Sequence, residues 1–372
     1  MSPLAAPEEL RALEPDWRRL AELRGNAFLT PEWSRSWLGH YGEGLASFIP
    51  VAPTDGDGLA GLMSLVLPER GRPRVCRIAG ANLGDRFHPL AAPGGEAEVA
   101  AAVGAALGEA GSAWSMIALD RVDLGGDWLG ALRDGLDARV RTMVRPSNAL
   151  PMIRLHQHQG WEGYLESRSA HLRKRLRWLD RRVVKDHALS IRRTERPEQL
   201  PADMATLFDL HDRRWAGRGG SSLAGERARA FHADFAEAAL RRGWLRLWLM
   251  EWDGDPVAAW YGWHLGDRYS FYNAGFDPGR SKLSPGMFLL ARVIQSAFEE
   301  GAREFDFLLG DEAYKSRFAD EGAATEVADV VLARSLPHPA VAIASTDQLL
   351  RRAGGALPAR LRTRLGAWRR KR

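Results

Sequence analysis

The chain has 372 residues, of which 45% are hydrophobic, and a formal net charge of +5. This length exceeds one ordinary hydrophobic core, so two domains of about 150 to 200 residues are expected. The single cysteine, Cys76, excludes an intramolecular disulfide framework, fits a reducing compartment and, among apolar neighbours, is predicted to lie in a core. No stretch comes near the roughly 18 apolar residues that a membrane helix needs, and the first residues lack a leader pattern. We therefore expect a cytoplasmic protein.

Basic residues are concentrated in a predicted helix over 168–185 and in a tail over 351–372. The tail holds nine Lys or Arg residues, no acidic residue and interleaved apolar side chains. This pattern is typical of a basic amphipathic helix in peripheral contact with an anionic membrane, or of a solvated terminus. The basic face of 168–185 is either a solvated surface or a contact for an anionic partner. We do not expect nucleic acid to be the partner.

Hydrophobic periodicity and turn residues define the elements of the first half. Thr30 is a plausible N-cap before Pro31, and Thr54–Gly58 is a turn between two apolar runs. In chain order the predicted elements are a helix over 7–23, a helix from Pro31 to about His40, a hairpin of Phe48–Ala52 with Leu59–Leu67, a strand over 74–79, a helix over 96–110 and a strand over Trp114–Leu119.

The second half repeats this order of hairpin strands, helix and strand. In chain order we predict helix 161–187, strand 189–193, helices 203–216 and 226–242, strands Trp244–Trp252, Val257–Leu265 and Tyr269–Phe276, helix 285–300, strand Glu304–Leu309, helix 311–319 and strand 324–335. The repetition predicts a duplicated α+β unit. We place the domains at 1–150 and 151–336, followed by a basic tail over 337–372.

A loop rich in Gly and Pro precedes the helix over 285–300. Ser284 is a candidate N-cap, Pro285 suits the first helical position, and Gly286 leaves room near the backbone. Free amides at a helix start favour an anion such as a pyrophosphate, although an ordinary capped helix explains the same residues. The candidate cofactor-binding residues are Arg280, Lys282, Ser284, Gly286, Met287 and Phe288.

The segment Phe305–Phe318 carries the pattern Asp-Phe-Leu-x-Gly-Asp-x-x-Tyr-Lys. Together with Leu283–Gly286, it resembles the CelD-like acetyltransferases of the GNAT superfamily, which are related to the Fem-type aminoacyltransferases. The resemblance covers residues 160–320 and, more weakly, 25–125, through Phe28–Trp33 and the hairpin after it. It implies an α+β fold of tandem GNAT-like domains and acyl-CoA as co-substrate, with no permanently bound cofactor and no metal.

Four residues of this segment are candidate catalytic groups. In Fem-type enzymes a lysine after an aromatic residue is implicated in catalysis, and Lys315 after Tyr314 matches it. A lysine ammonium can stabilise the oxyanion of acyl transfer, Asp311 or Asp306 can accept a proton, and Tyr314 can protonate the departing thiolate. Alternatively, Asp311 caps a helix and Lys315 only pairs with Asp311 or Glu312 on its surface.

The acceptor side is marked by polar and aromatic residues. Asp85 and His88 belong to a polar cluster with Asn82 and Arg86 after a first-half strand. The aromatic candidates are Trp263 and Tyr272, in strands where alternating aromatics also suit core packing. We expect acyl transfer to an amine or hydroxyl of a small molecule, such as a sugar or a cell-envelope or polysaccharide precursor. The alternatives are a Fem-like transferase that uses aminoacyl-tRNA and a non-catalytic component of a polysaccharide synthesis or export complex.

Overall fold

The computed structural model describes residues 7–54, 56, 58–70, 74–136, 139–216, 223, 225–310 and 312–333. The helices within these ranges are α1 (Pro7–Leu23), α2 (Pro31–Tyr41), α3 (Glu96–Glu109), α4 (Trp128–Asp134), α5 (Gly160–Ser167), α6 (Ala170–Asp186), α7 (Leu200–Trp215), α8 (Glu226–Arg241), α9 (Pro285–Glu299) and α10 (Lys315–Phe318). The strands are β1 (Leu45–Phe48), β2 (Val51–Pro53), β3 (Leu59–Leu62), β4 (Leu65–Pro68), β5 (Val75–Ile78), β6 (Leu90–Ala91), β7 (Met116–Asp123), β8 (Arg141–Ile153), β9 (Leu189–Arg193), β10 (Leu245–Trp252), β11 (Asp255–Leu265), β12 (Arg268–Phe276), β13 (Glu304–Asp306) and β14 (Ala324–Ala333). The tail over 337–372, with its predicted membrane contact, lies outside the described residues, as does Asp311.

Eleven strands form one sheet in the order β1-β4-β5-β7-β14-β8-β13-β12-β11-β10-β9, and β2, β3 and β6 form a second sheet. In the first half β4 and β5 are antiparallel, and β5 runs parallel to β7 across the connection that contains α3. In the second half β11 and β12 are antiparallel, and β12 runs parallel to β13 across α9. The predicted α+β duplication is therefore confirmed.

The two halves share this sheet without a break. β14, from the end of the second half, pairs with β7 on one side and with β8 on the other. The predicted boundary at residue 150 falls inside β8, so it divides a strand and not two separate sheets.

Helices cover both faces of the second half's sheet. One face carries α5, α6 and α9, whose apolar side chains form one core with β11 and β12. The other face carries α7 and α8, whose apolar side chains belong to a second core. That core continues into the first half, where the ring of Trp33 lies 4.9 Å from the ring of Phe235. Cys76 is fully buried there, as predicted. No helix within the described ranges is both long and apolar enough to cross a bilayer.

Several predicted bounds were wrong. The helix over 161–187 is two helices, because the chain becomes extended at Arg168 and the Ser169 hydroxyl caps α6 by accepting from the Leu172 amide at 3.3 Å. The strand over 304–309 ends at Asp306, and α10 begins only at Lys315. Each run of the first hairpin splits into two strands, which join different sheets.

Candidate active site

The second half opens where β12 and β13 separate. The two strands pair at three positions, the last being Ser270 with Asp306. β12 then continues to Phe276. The segment that follows β13 instead leaves the sheet at Leu308, whose φ of +52° is unusual for a residue other than glycine. The sheet therefore has a wedge-shaped opening beside residues 271–276.

A β-bulge faces the same region. Tyr261 pairs with Asn273 and Gly262 with Phe271, so Tyr272 is an extra residue in β12. A bulge leaves backbone groups out of the ladder and re-aims side chains, and bulges are common beside active sites. The Tyr272 hydroxyl donates to the Leu83 carbonyl at 2.9 Å, which ties the bulge to the first half.

A cavity of about 370 Å³ lies at this opening, between the two halves. The first half contributes Asn82, Leu83, Asp85 and Arg121 to its walls. The second half contributes His211, Arg214 and Trp215 from α7 and its end, residues 271–274 of β12, and Leu309, Gly310, Glu312, Tyr314 and Lys315. Two of the predicted catalytic residues and two of the predicted acceptor residues are thus brought together.

Lys315 is a buried cation in the cavity wall, with a relative exposure of 5%. Its ammonium donates to the Leu309 carbonyl at 2.7 Å and lies 3.1 Å from a Glu312 carboxylate oxygen. An ammonium has three N–H donors, so these partners leave one for a molecule in the cavity. Gly310 makes room for it, because a β-carbon there would lie 2.5 Å from the Lys315 nitrogen.

Arg214, which the sequence did not single out, bridges the two arms of the opening. It donates to the Ala274 carbonyl of β12 at 3.0 Å, and its guanidinium lies 3.9 Å from Glu312 on the opposite arm. Burial raises the pKa of Tyr314 far above its usual value, although the nearby Arg214 opposes the shift. Tyr314 therefore holds its proton at neutral pH.

Two further titratable groups line the cavity. Burial, reinforced by Arg214, lowers the pKa of His211 to about 4, so its imidazole is neutral at pH 7. Burial raises the pKa of Asp85, although Arg121 opposes the shift. The cavity wall therefore contains both a neutral imidazole and a buried carboxylate.

Asp306 is fully buried and does not line the cavity. One carboxylate oxygen accepts from the Leu308 amide at 2.8 Å, and the other lies 3.5 Å from Arg86. Burial raises its pKa to about 6. This placement suits a residue that holds the turn at Leu308 more than one that exchanges a proton with substrate.

The predicted phosphate loop differs in two details. Ser284 does not cap α9, because it has a φ of +43° and its hydroxyl accepts from Arg175 of α6 at 2.9 Å. The Phe288 amide is not free either, since it donates to the Ser284 carbonyl at 3.0 Å. The amides of Gly286 and Met287 precede this first helical bond and stay available for an anion.

The cations around this loop are Arg175, Arg280 and Lys282. Arg175 also donates to the Lys282 carbonyl at 3.0 Å, so the basic helix α6 supports the loop directly. Arg280 lies 3.7 Å from Asp255, and the Lys282 side chain is exposed. A positive surface therefore surrounds the start of α9.

The remaining predicted acceptor residues lie elsewhere. Trp263 is 1% exposed, packs among aromatic rings of the core that both halves share and does not line the cavity. His88 is buried with its Nδ1 2.8 Å from the Pro89 carbonyl oxygen, and burial lowers its pKa to about 4. His88 and Arg86 line a second cavity, of about 240 Å³, which Asp85 does not reach. The structure thus separates the predicted polar cluster.

In the first half, the two parallel strands that correspond to β12 and β13 stay paired beyond the point at which β12 and β13 separate. Beyond the parallel pairs of β5 and β7, Phe87 forms a parallel bridge with Val122. The Phe87 amide donates to the Arg121 carbonyl at 3.0 Å, and its carbonyl accepts from the Asp123 amide at 2.8 Å. Between its described strands β5 and β7, the first half therefore has no wedge like that of the second.

The open sheet, the bulge and the strand–helix–strand order define a GNAT-like α+β fold. Residues 167–316 match the family model described as an acetyltransferase (GNAT) domain. No curated protein is significantly similar in sequence.

Solved structures of similar fold cover nearly the whole chain. FemX has a TM-score of 0.60 at 11% identity, covering 89% of this chain and 98% of its own. The C-terminal domain of a protein described as a lysylphosphatidylglycerol synthetase from Agrobacterium fabrum has a TM-score of 0.56 at 13% identity, covering 92% and 96%. L-PGS from Bacillus licheniformis has a TM-score of 0.52 at 13% identity, covering 94% and 98%. At these identities the likeness establishes the fold alone.

Proposed function

We propose that this protein is an acyltransferase that moves an acetyl or longer acyl group from acyl-CoA to an amine or hydroxyl of a small-molecule acceptor. The main observation in support is the cavity at the separated ends of β12 and β13, where the buried Lys315 ammonium has one N–H donor available for a ligand. The match of residues 167–316 to a GNAT acetyltransferase domain supports the same reaction class.

The donor is proposed to bind along β12. Its pyrophosphate lies on the amides of Gly286 and Met287, within the positive surface that Arg175 and Lys282 provide. The pantetheine arm then runs along β12 from Phe276 to Tyr272, about 13 Å at the usual rise of about 3.3 Å per residue. Arg214 crosses this path and must swing aside when the arm enters.

The cavity residues divide the steps of acyl transfer. The acceptor nitrogen or oxygen attacks the thioester carbonyl, and the third N–H of Lys315 stabilises the oxyanion. His211, neutral at pH 7, takes the proton from the attacking group as the carbon–sulfur bond breaks. Tyr314, which holds its proton at neutral pH and lines the same cavity, gives that proton to the departing thiolate, and proton exchange with solvent then returns His211 and Tyr314 to their starting states.

The first test is calorimetry with acetyl-CoA on two variants of the loop. In both Gly286→Ala and Gly286→Asp the new β-carbon lies 3.0 Å from the Phe276 ring, so they share the steric change and differ in charge. We expect Gly286→Asp to bind acetyl-CoA at least about tenfold more weakly than Gly286→Ala, because like charges repel. Equal affinities would contradict the placement of the pyrophosphate.

The second test identifies the reaction. Native mass spectrometry of the purified chain should show CoA or acyl-CoA, and thiol release from acetyl-CoA should depend on an acceptor from a panel of amino sugars and nucleotide-linked sugars. Copurified tRNA would favour the Fem-like alternative, for which the basic helix α6 is the supporting feature. Failure to bind either would favour a non-catalytic component of a polysaccharide complex. A cell-envelope or polysaccharide precursor as acceptor, and a cytoplasmic location, remain part of the proposal.

A further inference from the structure

A carboxylate of the first half hydrogen-bonds the loop that follows β13, which we call the active-site loop of the second half. Asp85 is buried, and one of its carboxylate oxygens accepts from the Leu309 amide at 3.2 Å. The Leu309 carbonyl, in turn, accepts from the Lys315 ammonium at 2.7 Å. Leu309 therefore joins Asp85 to Lys315 through its two backbone polar groups.

Asp85 is itself held by Arg121, another first-half residue of the cavity wall. Arg121 donates to its other oxygen at 3.1 Å and also donates to the Gly84 carbonyl. Arg121 has a φ of +56°, and its amide donates to Asp329 of β14 at 3.0 Å. Such a conformation costs free energy in a residue other than glycine and persists only where its surroundings enforce it.

The loop that Asp85 holds also departs from ordinary backbone geometry. Leu308 has a φ of +52° and Gly310 a φ of +138°. Leu309 lies between them, so external hydrogen bonds decide where its carbonyl points. The Asp306 carboxylate accepts from Leu308 and the Asp85 carboxylate from Leu309.

We propose that Asp85 and Arg121 are positioning residues for Lys315, so that the first half sets the catalytic geometry of the second. The inference rests on the proposed acyl transfer and deepens it, because it makes the first half a part of the active site. Asp85 then acts through the Leu309 peptide and not through the acceptor.

A double-mutant cycle tests this pathway with acetyl-CoA and the best acceptor of the panel. Asp85→Ala should lower kcat by about 10- to 100-fold while the KM values stay within about twofold. This is the result expected for a group whose effect is to stabilise the transition state and not the bound substrate. Asp85→Asn keeps an oxygen that accepts from the Leu309 amide, so it should recover most of this loss. In a Lys315→Met background, Asp85→Ala should lower kcat by no more than about threefold further, since residues that act in series are not additive.

A labelling experiment makes the inference measurable without turnover. An amine-reactive ester is added to the full chain, and the labelled fraction of Lys315 is followed by mass spectrometry. Asp85→Ala should increase the labelling rate of Lys315 severalfold, and Asp85→Asn should return it towards wild type. The control is Asp134→Ala, which removes an exposed first-half carboxylate that forms an ion pair with its exposed neighbour Arg133.

Three outcomes would overturn the inference. They are additive losses in the cycle, a change confined to the KM of the acceptor, and unchanged labelling of Lys315 in Asp85→Ala. If wild type binds no acyl-CoA and turns nothing over, the proposed function fails, whereas faster labelling of Lys315 in Asp85→Ala would still show the mechanical link. The two failures are thus distinguishable.

Discussion

Replacing Lys315 by methionine separates a catalytic lysine from a structural one. The side chain is 5% exposed, donates a hydrogen bond to the Leu309 carbonyl and forms an ion pair with Glu312. It is therefore not the exposed helix-surface pair that the sequence left open, which would contribute only about 0.2–0.5 kcal/mol. Methionine fills a similar volume and leaves the Leu309 carbonyl without its donor, which costs about 1–3 kcal/mol of unfolding free energy. The Glu312 oxygen that faces Lys315 is buried too, so the substitution also removes the ion-pair partner of a buried carboxylate oxygen and adds to this cost.

The catalytic effect is expected to be much larger than any effect on binding. Loss of one oxyanion donor typically lowers kcat by about 100-fold or more, which is about 2.7 kcal/mol of activation free energy. Acetyl-CoA affinity should change little, because charge develops on the carbonyl oxygen only during the reaction. The assay is single-turnover acetyl transfer, with affinity measured separately by calorimetry.

The matched control is Arg317→Met, which removes an exposed cation from the same short helix and should retain full activity. Thermal unfolding of both variants checks that they are folded. A folded Lys315→Met protein that keeps more than about a tenth of wild-type turnover would refute the oxyanion role.

Two further predictions concern pH and the tail. The folded-state pKa of Asp306, about 6, exceeds its usual 3.8, so the stability that its protonation adds is present at low pH and is lost as pH rises through 6. Urea unfolding should therefore show wild type losing about 1.4 kcal/mol of unfolding free energy relative to Asp306→Asn between pH 5 and pH 8. Parallel pH profiles of wild type and Asp306→Asn would contradict this. Deleting 351–372 should leave acetyl transfer to a soluble acceptor unchanged and weaken binding to anionic vesicles in a salt-sensitive way; loss of folding or turnover on truncation would count against it.

Local patterns predicted most of the second half. Alternating apolar residues and the glycine turn at Asp253–Gly254 define β10 and β11. Pro285 marks the start of α9. The pattern around Tyr314 and Lys315 led to the cavity because these residues are neighbours in the chain.

Features that depend on contacts between distant parts of the chain could not be predicted from local sequence patterns. β8 escaped prediction because Pro146 and Pro151, which cannot donate to a strand ladder, interrupt its pattern; both nevertheless lie in register with β14, opposite Ala328 and Ala324. Arg121 reaches the cavity through the packing of the two halves, and His211 and Arg214 reach it through the packing of α7 against β12. The split in helix 161–187 had a local signal in Ser169, a good N-cap that the continuous apolar spacing obscured.

The position of β14 also limits how this chain can be cut. A fragment that stops before residue 324 would lack the strand between β7 and β8, leaving both with unpaired edges in the middle of the former sheet. Exposed edges of this kind recruit strands from other molecules and promote aggregation. A fragment that starts after β7 would instead carry β14 with one side bare. Successful dissection of the two halves would therefore require supplying β14 to the first half as a separate peptide, much as a missing strand is donated between chains.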